Sequence, residues 1–505
     1  MNKLVLKHSR MEVSDYSLGD FPGLEYTFTV RDVVSHSSHV KILEYNFDTK
    51  KLFVPRGVDV SYMERLCNCQ AVVDRNCDPY VNTDPIPIKY LTNSDRQLEI
   101  LKFILGQEKY EYTKTKSQLC VNTTTGSGKT FVTIAAMCVT GSRMILITNA
   151  INWLEQWKEK IFEYTPLKEN QIYKIAGSTS IDRIFCRNPL QYQVFLVSHS
   201  TIKAYGDKHG WNKIDELFKH LQCSMKVYDE AHLYFDNLAK IDYHSNTRKT
   251  LYLTATPERS LKEEDLLYQL YFKNVPSISL FDKDKDPHVN YIAMHFNSHP
   301  TPMEINSCAT SYGFNRSAYV KYLTKKDVYF KLVDILLDMA LNIDGKVLIY
   351  IGLNSAISHT YNYIIDKYPF LLNHIGVYTS VVDKTDKEIN LYKKIILSTT
   401  KSCGAAQDIY ALKCTINLAE PFKSSVLARQ TLGRCREDNT LYIDMIDTGF
   451  YYTKKYYKEK KPVFSRYAKT CKDVPLSDKE IEDRASKVEE KYSTKKVMCI
   501  RVYDH

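Results

Sequence analysis

The chain has 505 residues, 44% of them hydrophobic and 25% charged, the proportions of a soluble globular protein with about two to four domains. They exclude a disordered tail, a collagen-like fibre and a coiled-coil rod. The net charge of +10 points toward an anionic partner, and thirteen cysteines scattered from Cys67 to Cys499 read as reduced thiols rather than a disulfide framework.

Residues 1–86 read as a small β-rich domain. Leu24 to Val33 alternates apolar and polar residues, and Val40 to Val54 has the pattern of a hairpin turning at Asp48-Thr49-Lys50. The stretch Asn76 to Pro87, rich in proline and aspartate, reads as a linker. Over 87–285, apolar runs at Gln118–Val121, Met144–Thr148, Val194–Ser198, Met225–Tyr228 and Thr250–Thr254 alternate with helical patterns. That alternation predicts a parallel α/β sheet. A charged break at Asp282 to Pro287 precedes a second such block, 288–450. Its runs are Tyr291–Met294, Lys346–Ile351, Ile395–Ser398, Thr415–Leu418 and Leu441–Met445. Residues 451–505 form a basic Lys/Tyr-rich extension. No run reaches about eighteen apolar residues and the N-terminal apolar run is too short for a secretory signal, so the expectation is a soluble, intracellular chain with no membrane partner.

Two short stretches carry chemistry. Thr123-Thr124-Thr125-Gly126-Ser127-Gly128-Lys129-Thr130 follows an apolar strand and opens a helix. Glycines let backbone N–H groups curl around a phosphate, and the helix N-terminus adds positive potential. Lys129 would reach the terminal phosphates and Thr130 would hold Mg²⁺, leaving Thr125, Gly126, Ser127 and Gly128 as the cradle. Thr123 stands where the strict pattern has its first glycine. Asp229-Glu230-Ala231-His232 ends a hydrophobic strand one hundred residues after Lys129. Asp229 can hold the Mg²⁺ shell, while Glu230 positions or deprotonates an attacking water. Together they predict an NTP hydrolysis site.

With these two stretches as anchors, the chain resembles DEAH-type superfamily 2 helicases over residues 90 to 445. Gln97, thirty-two residues before Lys129, sits where that family has an adenine-reading glutamine. Asn149 to Trp157 resembles its Gln-Trp block, Ser198 to Thr201 its strand-end block, and Thr254-Ala255-Thr256-Pro257 its coupling block. Thr400 to Asp408 and Gln430 to Arg436 are similar to its fifth and sixth blocks. The resemblance implies two RecA-like lobes, ATP and Mg²⁺ as cofactors, and translocation on nucleic acid, usually 3′ to 5′. It implies that Gln430 and Arg434 or Arg436 act on the nucleotide with Asp408, that Thr148, Trp157, Ser200, Thr201 and Thr400 meet nucleic acid, and that His232, Thr254 and Thr256 couple hydrolysis to movement. In the family, second-lobe arginines complete the site when the lobes close. Ala405 and Ala406 depart from the fifth block, and Glu437 stands where the sixth has its second arginine. Strand-end capping is an equal reading for Thr148, Ser200, Thr201 and Thr400.

The segment Leu52 to Gly57, the Gln-Trp block and Tyr312 to Met339 resemble the helicases of cytoplasmic large DNA viruses, a family that includes the poxvirus transcript-release helicase and its African swine fever virus relative. That resemblance implies a DNA helicase of transcription termination and transcript release. It also implies a viral RNA polymerase as partner and a place at viral replication sites in the host cytoplasm or in the virion. An RNA helicase, or an ATP-gated nucleic-acid-binding module without unwinding, are the alternatives.

Other patterns fail as sites. Thr324-Lys325-Lys326-Asp327 imitates a guanine-reading motif but follows a helical stretch, and Asp282 to Asp286 imitates a calcium loop but lacks its glycine and glutamate. His36, His39, Cys67, Cys69 and Cys77 fit no standard zinc spacing. The extension has fifteen Lys/Arg against nine Asp/Glu and so holds six of the ten excess positive charges. Its interleaved tyrosines either stack on bases or pack on the second lobe.

Overall fold

The computed structural model describes residues 3–14, 25–31, 38–47, 49–90, 94–123, 128–149, 151–233, 235–254, 262–280, 289–311, 313–403, 409–434 and 439–502. The chain divides into two compact units, Met1–Phe281 and Asp282–His505.

The first unit opens with a five-stranded sheet of β1 (Lys3–Leu6), β2 (Arg10–Ser14), β3 (Glu44–Asn46), β4 (Lys51–Pro55) and β5 (Ala71–Val73), in the order β3-β4-β2-β1-β5. The expected hairpin is present, pairing Glu44 with Phe53 and Asn46 with Lys51. Among the described residues of Leu24–Val33, the strand is Thr29–Arg31, paired with Ser38–Lys41. The buried core of this sheet is continuous with that of the lobe that follows it in the chain. Leu4, Met11, Leu52, Val54 and Met63 share one buried cluster with Ile145, Phe195, Tyr228 and Tyr252 of the lobe beside it. Gly57 shows how close the two parts lie: a Cβ there would stand 2.0 Å from the Tyr271 carbonyl oxygen. The linker is tied down as well. Val81 N–H donates to Gln222 O at 3.2 Å, Thr83 N–H to Gly141 O at 2.8 Å and Ile86 N–H to Cys138 O at 2.9 Å.

The lobe is a seven-stranded parallel sheet: β6 (Gln118–Asn122), β7 (Met144–Thr148), β8 (Ile172–Ile175), β9 (Val194–Ser198), β10 (Met225–Tyr228), β11 (Lys249–Thr254) and β12 (Ser277–Ile278), in the order β8-β9-β7-β10-β11-β6-β12. β7, β9 and β10 are buried along their whole length, as strands covered on both faces must be, and this is why they read as unbroken apolar runs. The helices used below are α1 (Asp95–Leu105), α2 (Lys129–Thr140), α3 (Ile151–Tyr164), α4 (His199–His209) and α5 (Phe235–Tyr243).

Behind the sheet lies a buried ion pair. Lys226 of β10 and Asp242 of α5 are 0% and 1% exposed, with Nζ and Oδ1 2.5 Å apart. The hydroxyls of Tyr228, Tyr252 and Tyr271 all donate to the same carboxylate. Burial lowers the Lys226 pKa against the pull of Asp242, and it raises the three tyrosines well above their ordinary range.

The second unit is also a seven-stranded parallel sheet. It holds β13 (Val289–Phe296), β14 (Lys346–Ile351), β15 (Ile375–Tyr378), β16 (Ile395–Ser398), β17 (Leu412–Ala419), β18 (Thr440–Asp447) and β19 (Thr470–Pro475), in the order β15-β16-β14-β17-β18-β13-β19. Its helices include α6 (Asp327–Asn342), α7 (Ser425–Leu432), α8 (Tyr451–Tyr467) and α9 (Asp478–Val502).

The extension expected to begin at 451 belongs to this fold. β19 pairs with β13 from Asn290–Thr470 to His295–Pro475, and Ile481, Ala485, Val488 and Tyr492 of α9 join the cluster that holds Leu332 and Leu336 of α6. In α8, Thr453, Tyr457, Lys460 and Phe464 are the buried stripe, at helical spacing. Phe464 stacks on Tyr291 with centroids 4.0 Å apart, and Lys460 Nζ lies 2.7 Å from the buried Asp444. Tyr457 and Phe464 are therefore packing groups; Tyr452, Tyr456 and Tyr467 are half-buried and Tyr451 is exposed. Lys454, Lys455 and Lys458 are exposed.

Candidate active site

α2 begins at Lys129 directly after β6, with Gly128 as N-cap at φ +85°. A side chain at Gly128 would be strained in that left-handed conformation. It would also collide with Gln97, whose Nε2 lies 2.2 Å from an ideal Cβ position. Gln97, on α1, thus lies against the phosphate loop. Lys129 Nζ donates to the Thr123 carbonyl at 3.0 Å, and Thr123 N–H donates to the Thr254 carbonyl at 3.1 Å.

The acidic pair follows β10. Asp229 N–H donates to Ile147 O at 3.0 Å, tying the turn to β7. Glu230 takes a left-handed φ of +50°, and its N–H returns to Asp229 Oδ1 at 3.1 Å. The other carboxylate oxygen accepts the indole N–H of Trp157 at 2.8 Å. Burial raises the Asp229 pKa, opposed by the Trp157 hydrogen bond and the charge of Lys129. His232 is wholly buried; its Nδ1 is 2.9 Å from Thr254 Oγ1 and 3.3 Å from Glu230 Oε2.

The contacts form a continuous chain from Lys129 through Thr123, Thr254 and His232 to Glu230. It links the phosphate-loop lysine, the acidic pair and the first threonine of the coupling block. Asp229 and the half-buried Thr130 supply oxygen ligands of the kind Mg²⁺ takes. A divalent cation beside Asp229 would offset the cost of its burial, so the residues present fit that ion.

Four of the five nucleic-acid candidates are buried, and their side chains do other work. Trp157 serves Asp229 from the core, a role the sequence reading missed because the contact joins residues far apart in the chain. Thr201 belongs to the cap of α4: Ser198 Oγ accepts from Thr201 N–H and contacts the Thr201 and Ser200 hydroxyls at 2.8 and 2.9 Å. Thr400 gives its N–H to Glu420 at 2.8 Å and its hydroxyl to the same carboxylate. Thr148 ends β7 with 1% exposure. The hydrogen bonds of Thr201 and Thr400 fit the capping reading offered for them, and Ser200 is the exposed member of the set. In the second unit, Gln430 is half-buried on α7 and Arg434 is buried just past its end. Thr125, Gly126, Ser127, Thr256, Asp408 and Arg436 lie outside the described residues.

Residues 91–259 match the family model described as type III restriction enzyme, res subunit. A Haloarcula marismortui protein named putative DNA 3′-5′ helicase Rad25 is 24% identical over 146 residues, 29% of this chain and 21% of that one. The Mycobacterium tuberculosis DNA 3′-5′ helicase XPB is 28% identical over 145 residues, 29% of this chain and 24% of that one. The chain thus spans about a quarter or less of the length of these relatives. A structure of S. cerevisiae Dbp5 bound to RNA and ADP BeF3 superposes with a TM-score of 0.52 at 13% identity, covering 79% of this chain and 95% of that one. The fold is α/β with two RecA-like parallel-sheet lobes. The similarity to these named helicases is confined to about 29% of the chain, and the family-model match to residues 91–259. Among the described residues, no helix is long and apolar enough to cross a membrane.

Proposed function

We propose that the chain is an ATP-dependent DNA helicase or translocase of superfamily 2. The observation that carries this reading is the continuous contact chain from Lys129 to Glu230, which joins phosphate binding, water activation and the coupling block in one lobe. Lys129 and the α2 N-terminus hold the phosphates, Gln97 faces the base, and Glu230 orients the attacking water and takes its proton. Thr130 and Asp229 hold Mg²⁺, which neutralises phosphate charge when bound. Gln430 and either Arg434 or Arg436 would act on the nucleotide, as the helicase resemblance implies. His232 passes the nucleotide state to Thr254. The exposed lysines of α8 and Ser200 contact backbone phosphates.

The DNA substrate and 3′ to 5′ polarity follow the names of the Haloarcula and Mycobacterium relatives. A role in viral transcript release, with a viral RNA polymerase as partner in the host cytoplasm, rests on the resemblance of the Leu52–Gly57 segment, the Gln-Trp block and the stretch Tyr312 to Met339. The test is ATPase activity titrated in parallel with single-stranded DNA, duplex DNA and RNA. Stimulation by DNA, abolished by Lys129→Ala, is expected. Rates that ignore both nucleic acid and Lys129 would overturn the proposal, and stimulation by RNA alone would turn it into an RNA helicase.

Trp157 has its own test. Trp157→Phe keeps the ring and removes the N–H that Asp229 accepts. Partners that orient a metal ligand are worth about 10–100-fold in metal affinity or activity, so the Mg²⁺ concentration for half-maximal ATPase should rise by about that factor. A merely structural loss would lower the rate without moving the Mg²⁺ dependence.

A further inference from the structure

At the end of the first lobe's sheet where the strands begin, opposite the phosphate loop, lies a pocket of about 480 Å³ lined by the segment Lys114 to Ser117, by Asn82 and by Arg248 and Lys249. Its volume is within the range of small-ligand sites, roughly 300–1,000 Å³. Lys114, Lys116, Arg248 and Lys249 all line it, and no carboxylate does among the described residues. Lys114, Lys116 and Arg248 are exposed and hydrated, so the cost of the one-sided set falls on the half-buried Lys249.

Lys249 shows the cost most clearly. Its Nζ donates to the carbonyls of Thr113 and Lys116 at 3.1 and 2.9 Å, which uses two of its three donors. No ion pair is formed by Lys249 among the described residues, and burial together with neighbouring Arg248 pushes its pKa down to about 8. Arg248 gives one N–H to the Tyr80 hydroxyl at 2.7 Å, leaving the rest of its fork uncommitted. Lys114 and Lys116 are exposed at the rim. The C-terminal ends of α1 and α2 both reach the wall, through Ile104 and Leu105 and through Thr140, and their carbonyls together bring about one negative charge, less than four cations.

We infer that this pocket is a second anion site, distinct from the nucleotide site, which takes the phosphoryl group of a small organic phosphate. The recess suits a small molecule better than a polymer, since a nucleic-acid strand needs an open groove along which its backbone can run. The inference does not depend on the proposed helicase activity. It rests on the lining of the pocket and the uncompensated charge of Lys249.

The experiment is calorimetric titration of the full-length protein with inorganic pyrophosphate, without Mg²⁺, against the same protein carrying Lys114→Glu and Lys116→Glu. Pyrophosphate binding at the phosphate loop is common to both proteins, so the difference isolates the pocket. Two binding events are expected in the parent, one of them weakened at least tenfold by the charge reversals and untouched by Lys129→Ala. Lys249→Met, which removes the innermost ammonium, should weaken the same event if the rim variant fails to fold. A single event lost with Lys129→Ala, or one unchanged by the pocket substitutions, would overturn the site. Displacement of that pyrophosphate by a single-stranded oligonucleotide would reassign the pocket to nucleic acid and overturn it as well.

Discussion

Replacing Glu230 with glutamine is expected to slow ATP hydrolysis about 10²–10⁴-fold, the usual contribution of a positioned general base, while nucleotide binding survives. The substitution keeps the size of the side chain and its contact with His232 but removes the group that accepts the proton. The left-handed backbone at Glu230 is tolerated by glutamine as by glutamate, so folding is not the variable. Steady-state turnover and binding of a fluorescent ADP analogue, measured on one preparation, separate the two effects. Turnover within tenfold of the parent would remove Glu230 from the chemistry. Equal loss of binding and turnover would make it structural.

The second large effect is on stability. Asp242→Asn leaves the Lys226 ammonium buried without a counter-charge and weakens the acceptor shared by Tyr228, Tyr252 and Tyr271. Breaking a buried pair by removing one partner costs about 3–5 kcal/mol, and urea unfolding followed in the first unit should shift by that amount. The double variant Lys226→Met with Asp242→Leu should lose much less, because removing both charges also removes the cost of burying them. If the single and double variants lose equally, packing rather than charge accounts for the change.

The strands beside the site were legible because a parallel strand covered on both faces must be apolar throughout. Met144–Thr148, Val194–Ser198 and Met225–Tyr228 were read to the residue. The outer strands were not. β8 and β15 are only four residues long and partly solvated, and β19 is almost wholly exposed and ends in proline, as an edge strand may be composed. The phosphate loop and acidic pair were legible because their chemistry is local in sequence. The partnership of Trp157 with Asp229 was not, since nothing in a linear chain marks which side chain a fold will fold back onto a carboxylate.

The charge count of the extension leaves two readings of its tyrosines open, whereas the spacing of Thr453, Tyr457, Lys460 and Phe464 marks one face of a helix. Lys460 belongs to that face and spends its charge on Asp444. The apolar period was the better guide than the charge total.

The position of β19 bears on how the protein is made. β13 is the first strand of the second sheet to leave the ribosome, yet both of its neighbours, β18 and β19, come from the last part of the chain. At about 5–20 residues per second, the nascent β13 waits on the order of ten seconds with both edges unpaired. The first sheet is complete once residue 278 has emerged. A chain stopped at residue 450 would carry β13 with a permanently open side, and open strand edges are where chains join one another. A chain stopped at residue 450, lacking the residues that lead to and form β19, is therefore expected to self-associate more readily than the full chain.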